Sequence, residues 1–429
     1  MEEKPYKKAT WINNTNIYEV NLRQYTTEGS FNAFTKELPR LFELGVKTLW
    51  FMPITPISKK NSKGSLGSPY ACSDYTSINP ELGNLDDFKN LVTLAHSMGF
   101  KVIIDWVANH TGWDHVWTTT HPGYYKKNAD TGDFQIASGM DDIIELDYGN
   151  PSLRKAMIDA MEYWVTECDI DGFRSDLAFW VVLDFWKEAR SHLEKIKTLF
   201  WLAEADPLDN PEYLEAFDAA YTWTWMHKTA DFYKGAADIS ILKNVLYQYE
   251  NVCGNNSIPL WFTSNHDENS WNGTEYEKYG DMAMVLSVFS FTYVGMPMIY
   301  SGQELPNLKR LEFFEKDIIE WNGNCQLHDF YKTLLDLHTN NPALRAADTS
   351  AVTYPINTGE FKNVIAFLRK NGNNEVLVLL NFSNEKIIFE LGNKNLDGNY
   401  TNVFSKELTE LKTGKKFELQ PWGFLVYEK

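Results

Sequence analysis

From Ile17 to about Asn340, short apolar runs alternate with longer amphipathic ones. The short runs, at residues 17–20, 48–52, 101–106, 172–175, 199–203, 219–221, 260–263 and 298–300, have the length and texture of buried strands. Between them, residues 31–43, 85–97, 152–167, 182–196, 281–291 and 330–340 place apolar side chains at helical spacing. Parallel strands need a crossover, usually a helix, so eight strand–helix alternations predict an α/β fold closed as a (β/α)₈ barrel.

Two segments break the rhythm. Between the third strand and the helix starting near Ser152 lie some forty-five residues rich in Trp, His, Tyr, Gly and Asp, far above an ordinary loop length. This predicts a lid subdomain at 107–148, inserted after strand three. Beyond Asn341-Pro342 the pattern becomes strand-like, with 364–368 and 376–380 joined by Asn371-Gly372-Asn373-Asn374, a hairpin signal. The expected division is therefore a catalytic barrel at 1–106 and 149–345, the lid at 107–148, and a C-terminal antiparallel β-sandwich at 346–429. No flexible linker precedes the last unit, so it is expected to dock on the barrel.

Size agrees with this division: 429 residues exceed the ~250 of a bare barrel. Cys72, Cys168, Cys253 and Cys325 are scattered without metal-like spacing and read as free core thiols, a single bridge remaining open. The formal charge of −18 repels nucleic acid and anionic membranes and favours a neutral or cationic partner. Aromatic residues make up 15%, which mostly serves core packing and leaves a minority to line a cleft as stacking platforms. No stretch is apolar enough to span a bilayer, and Met1-Glu2-Glu3-Lys4 lacks the apolar core of a signal peptide. The expectation is a cytoplasmic chain, or an exported one whose leader has been removed.

Barrel enzymes carry their chemistry at the C-terminal ends of the strands. Four carboxylates fall there: Asp105, Asp176, Glu204 and Asp267, after strands three, four, five and seven. One alone is most often a cap or a surface charge, but four on one rim repel each other and point to use of their shifted pKa values. In Gly172-Phe173-Arg174-Ser175-Asp176 the strand period puts Arg174 and Asp176 on one face, where the guanidinium favours the ionised carboxylate that a nucleophile needs. Glu204 follows Trp201-Leu202-Ala203, an apolar approach that raises its pKa, as suits a proton donor. Asn265 and His266 precede Asp267, and Asp105 leads to Asn109 and His110, all able to grip hydroxyl groups.

These residues resemble the motifs of the alpha-amylase family of glycoside hydrolases, in order and across nearly the whole chain. The four are 105–110, 172–176, Glu204 in its apolar strand, and 262–267. Supporting matches lie at 45–53, Ser68-Pro69-Tyr70 through Asp74-Tyr75, 144–150, and Gly295-Met296-Pro297 to Gly302-Gln303-Glu304. The resemblance implies Asp176 as nucleophile, Glu204 as general acid/base and Asp267 as transition-state stabiliser. It implies that Tyr70 stacks under the sugar being cleaved, that His110, Arg174 and His266 make hydroxyl and carboxylate contacts, and that Asp105 supports them. The bland alternatives are a packing ring for Tyr70 and satisfied core histidines for His110 and His266. The implied reaction is double displacement on alpha-glucosidic, mainly alpha-1,4, bonds of starch-derived glucans or maltooligosaccharides, with the two carboxyl groups ~5–5.5 Å apart.

The pattern also departs from the family. Its calcium-dependent members carry Lys-His shortly after the nucleophile, where this chain has Phe179-Trp180. Asn109 matches a calcium ligand, but the acidic residues of the lid form no ligand array. The expectation is that no cofactor or metal is required, with a weak calcium site near Asn109 left open. Trp180, with Phe179, is expected to wall the leaving-sugar side. Two rivals stand beside hydrolysis: a transglycosidase of the same family (glucanotransferase or sugar isomerase), and a non-catalytic starch-binding protein, which the presence of all three carboxylates disfavours.

Overall fold

The computed structural model describes residues 6–254, 257–321, 323, 325–359, 363–391 and 396–429. The opening residues read for a leader lie outside that set. Eight strands close into a parallel barrel: Ile17–Val20 (β1), Thr48–Phe51 (β2), Lys101–Trp106 (β3), Gly172–Ser175 (β4), Phe200–Ala203 (β5), Ala219–Tyr221 (β6), Ile258–Trp261 (β7) and Met296–Tyr300 (β8). β1 pairs with both β2 and β8, so the barrel has no open edge. Apart from a half-buried Lys101, every residue of these strands is buried, which is why they read as continuous apolar runs rather than alternating ones.

Three expectations need correction. The helix expected over 31–43 is two, Phe31–Thr35 and Leu38–Leu44, because Pro39 cannot donate back to a preceding turn and instead sits in the first turn of a new helix. β7 and β8 each begin two residues earlier than expected, since Pro259 and Pro297 read as strand breakers yet are accommodated as the second residue of their strands. The β5–β6 connection has no α-helix among the described residues; it carries only the short turn Pro211–Glu215. Asp206 stabilises this connection instead, accepting from Leu208 N at 2.8 Å, Thr224 N at 2.6 Å and Tyr249 OH at 2.7 Å.

Residues after β3 form a three-stranded antiparallel sheet of His110–Gly112, Met140–Glu145 and Ile136–Ala137 before the helix Pro151–Cys168 resumes the barrel pattern. The C-terminal region stacks a six-stranded antiparallel sheet on a two-stranded one, Ile387–Glu390 with Lys416–Leu419. Its hairpin pairs Asn371 with Asn374 around Gly372-Asn373, with Gly372 at φ +60°. One face of the larger sheet joins the barrel core: Phe367 meets Tyr293 with ring centroids 5.1 Å apart, and Ile365, Val376, Val378 and Val426 are buried with it. None of the four cysteines is joined in a disulfide among the described residues. Among the described residues no helix is long and apolar enough to cross a membrane.

Candidate active site

The site is built around one buried cation. Arg174 points from β4 into the rim of the barrel and is wholly inaccessible. Its Nη1 donates to Asp105 Oδ1 at 2.9 Å and to Asp176 Oδ1 at 3.1 Å, while Nη2 lies 2.8 Å from Glu204 Oε2. The period-two alternation of β4 therefore does bring Arg174 and Asp176 together, but the guanidinium is shared among three carboxylates. Its Nε donates to Tyr221 OH at 3.3 Å, and its guanidinium carbon lies 5.0 Å from the ring centre of Trp50.

That sharing changes the expected pKa assignment. Burial pushes Asp176 up to about 7; Arg174 pulls against it, and Asp105 and Asp267 add to the rise. Burial likewise pushes Glu204 up to about 7, opposed by Arg174 and reinforced by Asp176 and Asp267. Asp105 rises to about 6 by burial, against Arg174 and the His266 cation. So Arg174 does not hold Asp176 at an ordinary low pKa, because one positive charge cannot neutralise three buried negative ones. The cluster retains a proton near neutral pH.

Local backbone fixes the pair. Leu177, between Asp176 and the turn Ala178–Trp180, adopts φ +39°, uncommon for a side chain without local hydrogen bonding. This bend turns its N–H toward Glu204, whose Oε2 accepts it at 2.8 Å, and Ala178 N donates to the Glu204 carbonyl at 3.1 Å. Asp176 Oδ2 is buried with no hydrogen-bond partner among the described residues.

A second chain of bonds runs away from Glu204. Glu19, in the middle of β1, accepts from His266 Nδ1 at 2.5 Å; His266 Nε2 contacts Tyr70 OH at 2.7 Å and Asp267 Oδ2 at 3.3 Å. Burial works against a charge on His266, but Asp267 and Glu19 on either side hold it protonated, well above the usual range. With both imidazole nitrogens donating, Tyr70 OH accepts from His266 and donates to Asp105 Oδ2 at 3.1 Å. Asp105 also accepts from Trp50 Nε1 at 3.2 Å. Burial pushes Asp267 up, but the charge and hydrogen bond of His266, with Arg174 and Trp271 adding to them, together bring it below its ordinary value.

A cavity of about 360 Å³ opens over this arrangement, lined by Tyr70, His110, Asp176, Leu177, Glu204 and Asp267, with Lys63, Met140, Asp142, Ile143, Trp271, Phe313 and Phe314 completing the walls. Five of the residues expected at the site thus face it. Asp105, Arg174 and His266 form a buried layer beneath, with their polar atoms on protein partners. Burial pushes His110 down to about 3, so it faces the cavity neutral. Trp180 is half-buried on the turn beyond Leu177 and is not among the lining residues; Leu177 takes that place. Asn109 turns its amide to His110 Nδ1 at 3.3 Å. Asp141 and Asp142, in the segment inserted after β3, are engaged by Lys63, and Asp114 by the N–H groups of Lys59 and Lys60. Among the described residues no three His, Cys, Asp or Glu side chains group as ligands of one metal ion.

Sequence reasoning missed Glu19, Trp271 and the pair Phe313-Phe314. Glu19 had a signal, being a lone carboxylate inside the buried run Ile-Tyr-Glu-Val. Phe313 and Phe314 lie in an aperiodic loop after β8, where nothing in the local pattern marks a ring as cleft-lining.

The family model described as alpha amylase, catalytic domain, matches residues 12–138 and 123–317, and that of the maltogenic amylase C-terminal domain matches 356–426. An alpha-amylase from Lactobacillus plantarum superposes with a TM-score of 0.87 at 29% identity, covering 98% of this chain and 100% of that one. A maltogenic alpha-amylase, AmyB, from Thermotoga neapolitana gives 0.88 at 28%, covering 97% and 99%. The alpha-amylase MalA of Haloarcula japonica is 26% identical over 89% of this chain, which spans only 57% of MalA's length.

Proposed function

Because the chain belongs to the alpha-amylase family of glycoside hydrolases, we propose that it hydrolyses alpha-glucosidic, mainly alpha-1,4, bonds of maltooligosaccharides with retention of configuration. The observation that carries this reading is the pairing of Asp176 and Glu204 on the two terminal nitrogens of Arg174, at the floor of a cavity. A pair of carboxyl groups sharing a proton near neutral pH supplies one acid and one nucleophile.

Glu204 protonates the glycosidic oxygen as the Asp176 carboxylate bonds to the anomeric carbon, and the leaving sugar departs as an alcohol. The Glu204 carboxylate then takes a proton from water, whose oxygen bonds to the same carbon and releases Asp176. Arg174, bound to both, moderates the charge as the proton passes. Asp267, the most ionised of the set, accepts from sugar hydroxyls, and neutral His110 offers a further contact. Tyr70, its hydroxyl clamped by His266 and Asp105, presents its ring to the sugar as positive charge develops. Asp105 and His266 act through Arg174 and Tyr70 rather than on the sugar.

Transglycosylation remains the second reading, favoured by Phe179, which stands exposed on the turn beyond Leu177, on the Glu204 side, and offers a platform for an acceptor sugar. Incubation with maltoheptaose, pullulan, sucrose and trehalose, followed by chromatography over time, tests both. Shorter maltooligosaccharides alone support hydrolysis, and products longer than the substrate show transfer. No product from any alpha-glucan contradicts the proposal.

A further inference from the structure

One side of the cavity is closed by a wall that the reaction above does not use. Its central piece is the loop of residues 58–67, fastened on two sides. Toward the lid, Lys59 N and Lys60 N donate to Asp114 Oδ2 at 2.9 and 3.0 Å. Gly112 of the lid sheet lies so near that a Cβ there would come within 2.0 Å of Ser58 Cβ. Lys63 Nζ sits 2.8 Å from Asp142 Oδ1 and 3.1 Å from Asp141 Oδ1. Asp142 is 5% exposed, so its carboxylate depends on that ammonium.

Toward the loop after β8, Ser65 N donates to Glu315 Oε1 at 2.8 Å and Leu66 N to the Phe314 carbonyl at 3.2 Å. Gly64, at φ +62°, packs where a Cβ would meet Phe314 Cβ at 2.5 Å. The wall continues through Phe314 and Trp271, ring centroids 5.6 Å apart, to Phe313 at 5.4 Å and to Tyr70, 6.1 Å beyond. Lid, loop and aromatic segment thus form one continuous barrier.

Tyr70 shows which end is closed, because its ring stacks on Phe313 of the wall, whereas Glu204 is held by the N–H of Leu177, which is not part of the wall. The leaving sugar must occupy the Glu204 side, because Glu204 protonates its oxygen. The barrier stands on the Tyr70 side, where the non-reducing part of the substrate lies. The cavity of about 360 Å³ is at the small end of ligand sites, which run from roughly 300 to 1,000 Å³.

We infer that the loop of residues 58–67, latched to the lid through Lys63, is a stop that closes the non-reducing end of the cleft and makes this a chain-end enzyme releasing a short oligosaccharide of fixed length. The inference rests on the assignment of Asp176 and Glu204 above. Two of the three ammonium hydrogens of Lys63 serve Asp141 and Asp142, leaving the third for a terminal sugar hydroxyl.

The test compares nitrophenyl maltoheptaoside with the same compound carrying a cyclic acetal on its non-reducing terminal sugar. Wild type should cleave the free compound at least tenfold faster than the blocked one and release one short product. Lys63→Ala should narrow that preference several-fold and broaden the product series, and Lys63→Arg should restore both. Equal cleavage of both compounds by wild type, with a mixed series from the outset, overturns the stop while leaving the hydrolytic assignment intact. A Lys63→Ala enzyme with unchanged preference and products overturns the latch. Failure to cleave either compound overturns the underlying assignment instead.

Discussion

Replacing Asp176 by Asn should abolish turnover and, at the same time, make the protein more stable above neutral pH. Asp176, Glu204 and Asp105 crowd one guanidinium, and burial drives Asp176 from an ordinary 3.8 to about 7. At ~1.36 kcal/mol per pKa unit, the ionised carboxylate costs the folded state about 4 kcal/mol. Weakening the hydrogen bond from Arg174 gives back about 1 kcal/mol, so the amide should gain roughly 2–3 kcal/mol at pH 8. The sign follows from the raised folded pKa: the wild-type contribution is fully present below about pH 4 and is lost as pH rises through about 7. The advantage of Asp176→Asn is therefore largest at pH 8 and shrinks as the pH is lowered toward 4. Urea unfolding of both proteins across that range, followed by tryptophan fluorescence, reads it directly. A variant less stable than wild type at pH 8, or a difference that does not change with pH, would refute the reasoning.

Other consequences are as open to test. Glu204→Gln should lower turnover of maltooligosaccharides by orders of magnitude, and a substrate with an activated leaving group should partly rescue it but not Asp176→Asn; equal rescue of both would reverse the roles. Dialysis against a strong chelator should change neither maltoheptaose turnover nor the melting temperature, because Phe179-Trp180 stand where the family's calcium-dependent members carry Lys-His. A bound calcium at a hundredfold excess over its Kd would instead add about 3 kcal/mol, and loss of activity that only calcium restores would overturn the expectation. Truncation at Ala346 should yield an aggregating or poorly folding barrel, since it uncovers the surface that Phe367, Val378 and Val426 bury; a soluble, cooperative and fully active fragment would contradict this docking role.

The barrel was legible because its strands are buried on both faces and its crossovers are amphipathic, so each strand stands out as an apolar run. What misled was proline. Pro259 displaced one expected strand by two residues, Pro297 cut two residues from another, and Pro39 split an expected helix, since its effect depends on position within the element. The catalytic-rim carboxylates were legible for a similar reason, as polar residues at the ends of apolar strands. The electrostatics were not. Reading Arg174 beside Asp176 in one strand suggests a simple ion pair, whereas Asp105 and Glu204 reach the same cation from neighbouring strands across the barrel. The contact of His266 with Glu19 is invisible in the sequence because the two stand 247 positions apart. The cleft walls, from Lys63 to Phe313 and Phe314, come from loops without periodicity and appear only once the fold brings them together.

The central claim is double displacement at the Asp176–Glu204 pair, and the configuration of the first product tests it most directly. Proton NMR during the first turnovers of maltoheptaose, before mutarotation, should show the alpha anomer of the newly formed reducing end, because two inversions restore the starting configuration. Appearance of the beta anomer first would mean a single displacement by water, and would contradict the assignment of Asp176 as nucleophile.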